Sequence, residues 1–125
     1  MKITLTPEES EEIFHTALCN ALHYVESSYG LSLEYDVIAY KKASKKLESP
    51  CHEDVLIQIL KDGNTLTLLD LEDNLYNSQI TLSDVHERVQ MSPTKMLLEM
   101  LNETDDADTG DCIIQSVFFK EVIFG

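Results

Sequence analysis

The sequence has no tryptophan, only three cysteines and few basic residues, and these shortages exclude several classes of protein. Three cysteines are an odd number, and without Cys-x-x-Cys spacing they do not indicate a disulfide framework. No apolar run approaches the roughly 18 residues that a membrane-spanning helix requires. The N-terminus also lacks a basic segment followed by an apolar run, which a secretory signal would need. We therefore expect a cytoplasmic protein with reduced thiols and no membrane contact.

Positive charge is the scarcest property of the chain. Against 23 Asp+Glu there are only 9 Lys+Arg, which gives a net charge of −14 over 125 residues. Residues 51–125 hold −11 of this charge, and the stretches 62–87 and 99–111 contain no base at all. Such a field repels phosphate backbones and attracts basic surfaces. Direct nucleic-acid binding is therefore disfavoured, and a basic protein partner is favoured.

The hydrophobic fraction of 43% is sufficient for one core, so we expect a single domain over residues 1–125. The clearest local signal is Thr6-Pro7-Glu8-Glu9, which combines an N-cap threonine, proline at the first helical position and a capping-box glutamate. Apolar residues then recur at helical spacing, which predicts a helix from Pro7 to Ser28. Further helices are predicted over Asp36–Leu47, from Pro50 to Asp62, over Val85–Gln90, from Ser92 to Leu101, and over Cys112–Ile123 after the acidic run Thr104 to Asp111.

Short β-like segments occur between the predicted helices. We predict a strand at Lys2–Leu5, and strands at Thr65–Asp70 and Gln79–Leu82 that form a hairpin because polar turn residues separate them. No internal repeat or low-complexity linker interrupts this pattern. The predicted fold class is therefore α+β: a mostly helical single domain with a small antiparallel β-hairpin or sheet.

One row of potential metal ligands lies on the first predicted helix. His15, Cys19 and His23 are spaced i, i+4, i+8, and Cys51-His52 follow later; imidazole and thiolate are the ligands that zinc prefers. The row lies about 100–180° from the apolar stripe at helical spacing, so it faces away from the core. Nothing in the spacing brings Cys51 or His52 to it. We therefore predict no metal and no cofactor, and keep metal binding as an alternative.

No catalytic motif accompanies these residues. The sequence has no glycine-rich phosphate loop and no activated nucleophile, so we predict that the protein is not an enzyme. One basic cluster, at Lys41, Lys42, Lys45 and Lys46, leaves a nucleotide-binding accessory protein as an alternative. The apolar tail around Phe118, Phe119 and Phe124 is consistent with core packing, with a docking surface or with a homodimer contact.

Three segments resemble small, functionally uncharacterised acidic proteins of phages and mobile elements. They are Glu53–Leu66, Ile80–Val85 and Asp106–Gly125, so the resemblance covers about residues 51–125. It implies an accessory gene product and supplies no catalytic residues. Small acidic phage proteins include anti-CRISPR and anti-restriction inhibitors, some of which occupy the DNA-binding groove of a target with carboxylates placed like phosphates.

Charge and resemblance together predict a non-catalytic inhibitor of anti-CRISPR or anti-defence type, which blocks a basic nucleic-acid-binding surface of a partner protein. An antitoxin or immunity protein that neutralises a basic toxin has the same features and remains an alternative. The predicted partner-binding residues come from the two base-free stretches: Asp70, Glu72, Asp73, Glu103, Asp105, Asp106, Asp108 and Asp111.

Overall fold

The computed structural model describes residues 2–125 and contains, in that range, six helices and one three-stranded antiparallel sheet. The helices are α1 (Pro7–Tyr29), α2 (Val37–Lys45), α3 (His52–Lys61), α4 (Leu82–Val89), α5 (Thr94–Leu101) and α6 (Ala107–Phe119). The strands are β1 (Leu31–Glu34), β2 (Leu66–Asp70) and β3 (Ser78–Ile80), in the order β1-β2-β3. The predicted class, a mostly helical α+β domain with a small antiparallel sheet, is confirmed.

Helix α1 is the central element, and its first turn forms as the sequence predicts. The Thr6 hydroxyl accepts the Glu9 backbone N–H at 3.1 Å, and the Glu9 carboxylate accepts the Thr6 N–H at 2.8 Å. The helix ends where Gly30 adopts a left-handed conformation with φ of 66°. Its apolar stripe is buried, comprising Ile13, Phe14, Ala17, Leu18, Ala21, Leu22 and Val25.

The sheet contains the predicted hairpin and one strand that was not predicted. In the hairpin, Leu66 of β2 lies opposite Ile80 of β3. Strand β1 pairs with the other edge of β2, so that Leu31 lies opposite Asp70. A four-residue segment carries little periodicity, and its partner is far away in sequence, so only the tertiary fold reveals it.

The strand predicted at Lys2–Leu5 is wrong, because these residues have no regular secondary structure. The apolar side chain of Leu5 is buried in the core instead. Its backbone N–H donates a hydrogen bond to Oε1 of Gln90 at 3.2 Å rather than to a neighbouring strand. A side-chain acceptor thus satisfies the backbone group that a β-ladder would otherwise bind.

Helix α6 packs closely along α1 because Gly110 has no side chain. A Cβ atom there would lie 2.9 Å from the Ala17 carbonyl oxygen and 2.9 Å from the Ala21 Cβ. Further along the same interface, the Phe14 and Phe118 rings are 6.3 Å apart between centroids. The core is therefore centred on the contact between the first and the last helix.

The last helix ends earlier than Ile123, so this part of the prediction is wrong. It stops at Phe119, and Lys120 adopts a left-handed conformation with φ of 67°. The tail then turns back, and the buried Gln115 Oε1 accepts the backbone N–H groups of Ile123 at 2.7 Å and Phe124 at 2.8 Å. A buried side chain thus provides the hydrogen bonds that continuation of the helix would have provided.

The tail aromatics pack mostly against the fold itself. Phe118 is only 2% exposed, and Phe119 and Phe124 pack partly buried against the core. The Phe124 ring stacks on Tyr29 at 5.0 Å and meets the edge of Tyr76 at 5.4 Å.

Within the part of the chain that the structure describes, no helix combines the length and apolar character needed to cross a membrane.

Candidate functional site

The eight carboxylates predicted to bind a partner lie at two places in the fold. Glu72 and Asp73 are exposed in the turn between β2 and β3, and Glu103, Asp106 and Asp108 are exposed around the connection from α5 to α6. In residues 2–125, none of the eight forms an ion pair with a lysine, arginine or histidine. Their negative charge is therefore not neutralised by direct contacts.

The structure does not bring the two places into one cluster. The Glu72 side chain lies against Gly30, where α1 ends. Asp105, next to the exposed carboxylates of the second place, accepts a hydrogen bond from Nδ2 of Asn20 at 2.6 Å. Ten residues of helix separate these contacts, which corresponds to about 15 Å along the α1 axis.

Two of the eight carboxylates are buried and serve the fold. Asp70, 6% exposed, accepts the backbone N–H groups of Glu72, Asp73 and Leu75 and so shapes the β2–β3 turn. These backbone hydrogen bonds, above all the one from Asp73, hold the pKa of Asp70 below its usual value. This carboxylate is directed into the turn and is not presented to a partner.

Asp111 is the second buried carboxylate, at 7% exposure. It accepts hydrogen bonds from the Tyr29 hydroxyl at 2.6 Å and from Nε2 of Gln115 at 2.7 Å. Burial, followed by this hydrogen bond to Asp111, raises the pKa of Tyr29 well above its usual value. Asp111 thus joins α6 to the end of α1, and it lies outside the exposed acidic surface.

Asp106 is exposed and also has a structural role. Its carboxylate accepts the Thr109 backbone N–H at 3.0 Å and caps α6. The hydrogen bond from Thr109 lowers the pKa of Asp106. Charge reversal at this position would therefore disturb the helix as well as the surface.

A groove between the first half of α1 and the end of α5 contains two of the eight predicted carboxylates, Glu103 and Asp105, together with two from α1. It has a volume of about 390 Å³. Four carboxylates line it, from Glu9, Glu12, Glu103 and Asp105. The apolar part of its lining includes Ile13, Met100 and Leu101. None of the described residues that line this acidic groove is a lysine or arginine.

The sequence reasoning missed Glu9 and Glu12 as members of this surface. The run Glu8-Glu9-Ser10-Glu11-Glu12 was interpreted only as the start of a helix. Its signal was nevertheless present, because four acids in five residues at a helix start exceed what a capping box needs. The acidic surface is therefore not confined to residues 51–125, since α1 contributes half of the groove's carboxylates.

A second groove, on the α3 side of α1, is acidic but partly neutralised. It has a volume of about 420 Å³ and is lined by Glu8, Glu11, Glu12, Glu48 and Asp54 together with Lys61 and His15. Glu11 contacts Lys61 at 3.5 Å and His86 at 2.7 Å. This groove therefore differs from the acidic groove in that a lysine lines it and pairs with one of its carboxylates.

The lysine cluster on α2 lies apart from these carboxylates. Lys41, Lys42, Lys45 and Lys46 are exposed. The one ion pair found for this cluster within residues 2–125 joins Lys46 to Asp62 at 2.7 Å. The cluster occupies the solvent side of a short helix whose Ala39 and Ala43 face the core. These lysines therefore do not neutralise the negative charge of the acidic groove.

The row of potential metal ligands on α1 meets the beginning of α3. His15 Nε2 lies 2.7 Å from Asp54 Oδ1, and the Cys19 sulfur lies 4.0 Å from both ring nitrogens of His15. One ligand atom each from His15, Cys51 and Asp54 lies within 4.8 Å of the others. The meeting with Cys51 that the sequence could not establish is thus provided by the packing of α3 against α1.

Two histidines from the sequence pattern do not belong to this cluster. His23 is exposed about one turn beyond Cys19 on α1. His52 is directed to α2, where its Nδ1 lies 3.0 Å from the Tyr40 hydroxyl. The sequence pattern suggested His23 and His52 as further ligands beside His15 and Cys19. In the structure Asp54 lies beside His15 instead.

Negatively charged side chains lie close to the Cys19 thiol. Burial, followed by the negative charge of Glu53, raises the pKa of the Cys19 thiol to about 11. Hydrogen bonds from the Cys51 backbone and side chain, then from His15, lower the pKa of Asp54. The arrangement therefore combines a carboxylate whose ionised form is favoured with a thiol whose deprotonation is disfavoured.

No protein-family model, curated protein sequence or solved structure matches the chain.

Proposed function

We propose that this protein is a non-catalytic acidic binding protein, an inhibitor of anti-CRISPR or anti-defence type from a phage or mobile element. In this proposal it acts in the cytoplasm of the host cell, where it blocks a basic nucleic-acid-binding surface of a partner protein. The observation that carries the proposal is the acidic groove, in which Glu9, Glu12, Glu103 and Asp105 converge without a lysine or arginine in the described lining.

Electrostatics supports a basic partner for this groove. A net charge of −14 raises the local concentration of positively charged surfaces and speeds their association, while it repels nucleic acid itself. Within residues 2–125 the predicted acids near the groove form no ion pairs, so a basic partner need not displace a lysine, arginine or histidine from them. The groove is therefore suited to a protein surface that otherwise binds phosphates.

The apolar part of the groove adds a second contribution. Leu101 is 46% exposed next to the carboxylates, while Met100 and Ile13 are almost buried beneath it. A lysine or arginine can lay its aliphatic stem on such a surface and keep its charged end beside a carboxylate. This combination of charge and apolar contact favours long basic side chains over small cations.

The test compares two double charge reversals that have the same net charge. Glu12→Lys with Glu103→Lys reverses the acidic groove at two exposed side chains for which the structure shows no hydrogen bond within residues 2–125. Glu34→Lys with Glu87→Lys is the matched control, because both are exposed acids outside the groove. Glu9 is avoided, since its carboxylate completes the cap of α1.

Each immobilised protein is exposed to a nuclease-treated bacterial extract, and captured proteins are identified before and after elution with salt or duplex DNA. We expect wild type and control pair to retain nucleic-acid-binding proteins, which DNA and high salt displace. The groove pair should lose them. Equal capture by both pairs, or capture insensitive to salt, would contradict the proposed electrostatic surface. If high salt elutes the captured proteins but duplex DNA does not, the proposal that the target is a nucleic-acid-binding surface is contradicted.

A further inference from the structure

The side chains of His15, Cys19, Cys51 and Asp54 offer one imidazole, two thiols and one carboxylate at a single place. Two of them lie one helical turn apart on α1, and the other two occupy the N-cap and the third position of α3. Each pair therefore sits on a helix, and helices hold ligands more firmly than loops do. Sulfur, nitrogen and oxygen in this ratio match the preferences of zinc rather than those of calcium or magnesium.

The distances are close to those of a tetrahedral site. Zinc bond lengths of about 2.0–2.3 Å require ligand atoms to be about 3.3–3.8 Å apart. The Cys19 sulfur lies 4.0 Å from the His15 ring nitrogens, and His15 Nε2 lies 2.7 Å from Asp54 Oδ1. Cys51 lies with His15 and Asp54 in one cluster of ligand atoms within 4.8 Å of one another, whereas Cys19 lies beside this cluster, so its side chain must turn towards the other three ligands to enclose an ion.

Backbone hydrogen bonds hold part of this arrangement in place. The Cys51 N–H donates to Asp54 Oδ2 at 3.1 Å, which leaves Oδ1 directed at His15. The buried faces of α1 and α3 fix the two helices relative to each other, through residues such as Leu18 and Leu56. The ligands are thus brought together by the fold, at a surface where His15 and Asp54 keep 33% and 42% of their side-chain area exposed.

We propose that His15, Cys19, Cys51 and Asp54 form a site for one divalent transition-metal ion, with zinc favoured by the ligand chemistry. The site is independent of the acidic groove. It joins α1 to α3 across the chain, so a bound ion cross-links two elements that are separated by residues 30–51. Glu53, whose carboxylate lies 3.9 Å from the Cys19 sulfur, is an outer neighbour of the site.

Cobalt is the probe for the test, because Co²⁺ occupies zinc sites and its thiolate complexes absorb in the near ultraviolet. Reduced protein, kept in a phosphine reductant and stripped with a chelator, is titrated with Co²⁺ and then with Zn²⁺. We expect one equivalent of Co²⁺, a thiolate-to-cobalt band, the visible bands of tetrahedral cobalt and displacement by Zn²⁺. Zinc should also raise the melting temperature, since an ion that binds only the folded state stabilises it.

Single variants assign the ligands, and circular dichroism verifies that each one is folded. Cys19→Ala and Cys51→Ala should each remove about half of the thiolate band, because each removes one of two sulfur ligands. Asp54→Asn should weaken cobalt binding about tenfold or more, because it replaces a charged ligand by a neutral one and even the loss of an outer-shell partner typically costs about 10–100-fold. Cys112→Ala and His23→Ala are the controls, because these residues have the same chemistry but lie on α6 and one turn further along α1.

Binding with both thiolate contributions, unchanged in the two control variants, would support the site. The absence of a thiolate band in reduced wild type would overturn it. So would a band that persists when Cys19 and Cys51 are both replaced, or one that His23→Ala removes.

Discussion

Replacing Gly110 by alanine should destabilise the protein, although alanine is the better helix former. The residue lies in the first half of α6 and is buried against α1. At a helix position with free space, the change from glycine to alanine would stabilise by about 1 kcal/mol. Here the new Cβ would lie 2.9 Å from both the Ala17 carbonyl oxygen and the Ala21 Cβ. Neither atom belongs to a flexible side chain, so the two helices must move apart.

The size of the effect follows from these opposing terms. Inserting a methyl group into a packed core costs about 1–3 kcal/mol, and the gain in helix propensity offsets part of that cost. Because the new Cβ meets two atoms that cannot yield, we take an insertion cost of about 2–3 kcal/mol, and the gain of about 1 kcal/mol leaves a net loss of roughly 1–2 kcal/mol in the free energy of unfolding. With a urea dependence of about 2 kcal/mol per molar, in the middle of the usual range for small proteins, the unfolding midpoint should fall by roughly 0.5–1 M.

Urea unfolding followed by circular dichroism measures this shift. Ala21→Gly serves as the partner in a double-mutant cycle, because it removes one of the two atoms that the new methyl group meets. This second change should be less destabilising in the Gly110→Ala background than in wild type, with a coupling of about 0.5 kcal/mol or more. An unchanged or higher midpoint for Gly110→Ala would refute the close packing of α6 on α1.

Two further predictions concern side chains that hold loops. The pKa of Asp70 is lowered below 3.8, so its charged form stabilises the fold above about pH 4, and this contribution is lost as the pH falls through the lowered value. Asp70→Asn should therefore lower the urea midpoint at pH 7 and approach wild type at about pH 2, whereas a pH-independent difference would contradict this role. Gln115→Ala removes the acceptor for Ile123 and Phe124 and should cost about 2–4 kcal/mol, with faster hydrogen exchange at both amides. Unchanged protection of these amides would show that Gln115 does not hold the tail.

Local signals predicted the elements that need few distant contacts. Helix α1 follows from its capping box and its apolar stripe, which are both encoded within about 25 residues. Strand β1 and the irregular path of Lys2–Leu5 were not predicted, because distant partners decide them: β2 in one case and Gln90 in the other. The end of α6 was misplaced because Gln115 replaces the helical hydrogen bonds of the tail.

The candidate site divides in the same way. Glu103 and Asp105 were predicted from the base-free stretch, but their neighbours Glu9 and Glu12 come from the other end of the chain. Asp70 and Asp111 belong to the same acidic stretches and yet are buried, because backbone N–H groups and the Tyr29 hydroxyl bind them. Charge counting does not distinguish an exposed carboxylate from one that the fold uses as an acceptor.

The sequence by itself determined the charge of −14, the helical α+β character and the i, i+4 spacing of His15 and Cys19, because composition and local periodicity depend only on neighbouring residues. Tertiary structure alone decided which carboxylates share a groove and that Cys51 and Asp54 meet His15. Such meetings depend on how buried faces pack, and above all on α1, against which both α3 and α6 are placed. The sequence gives the chemistry of each side chain, whereas the packing of the core decides which side chains become its neighbours.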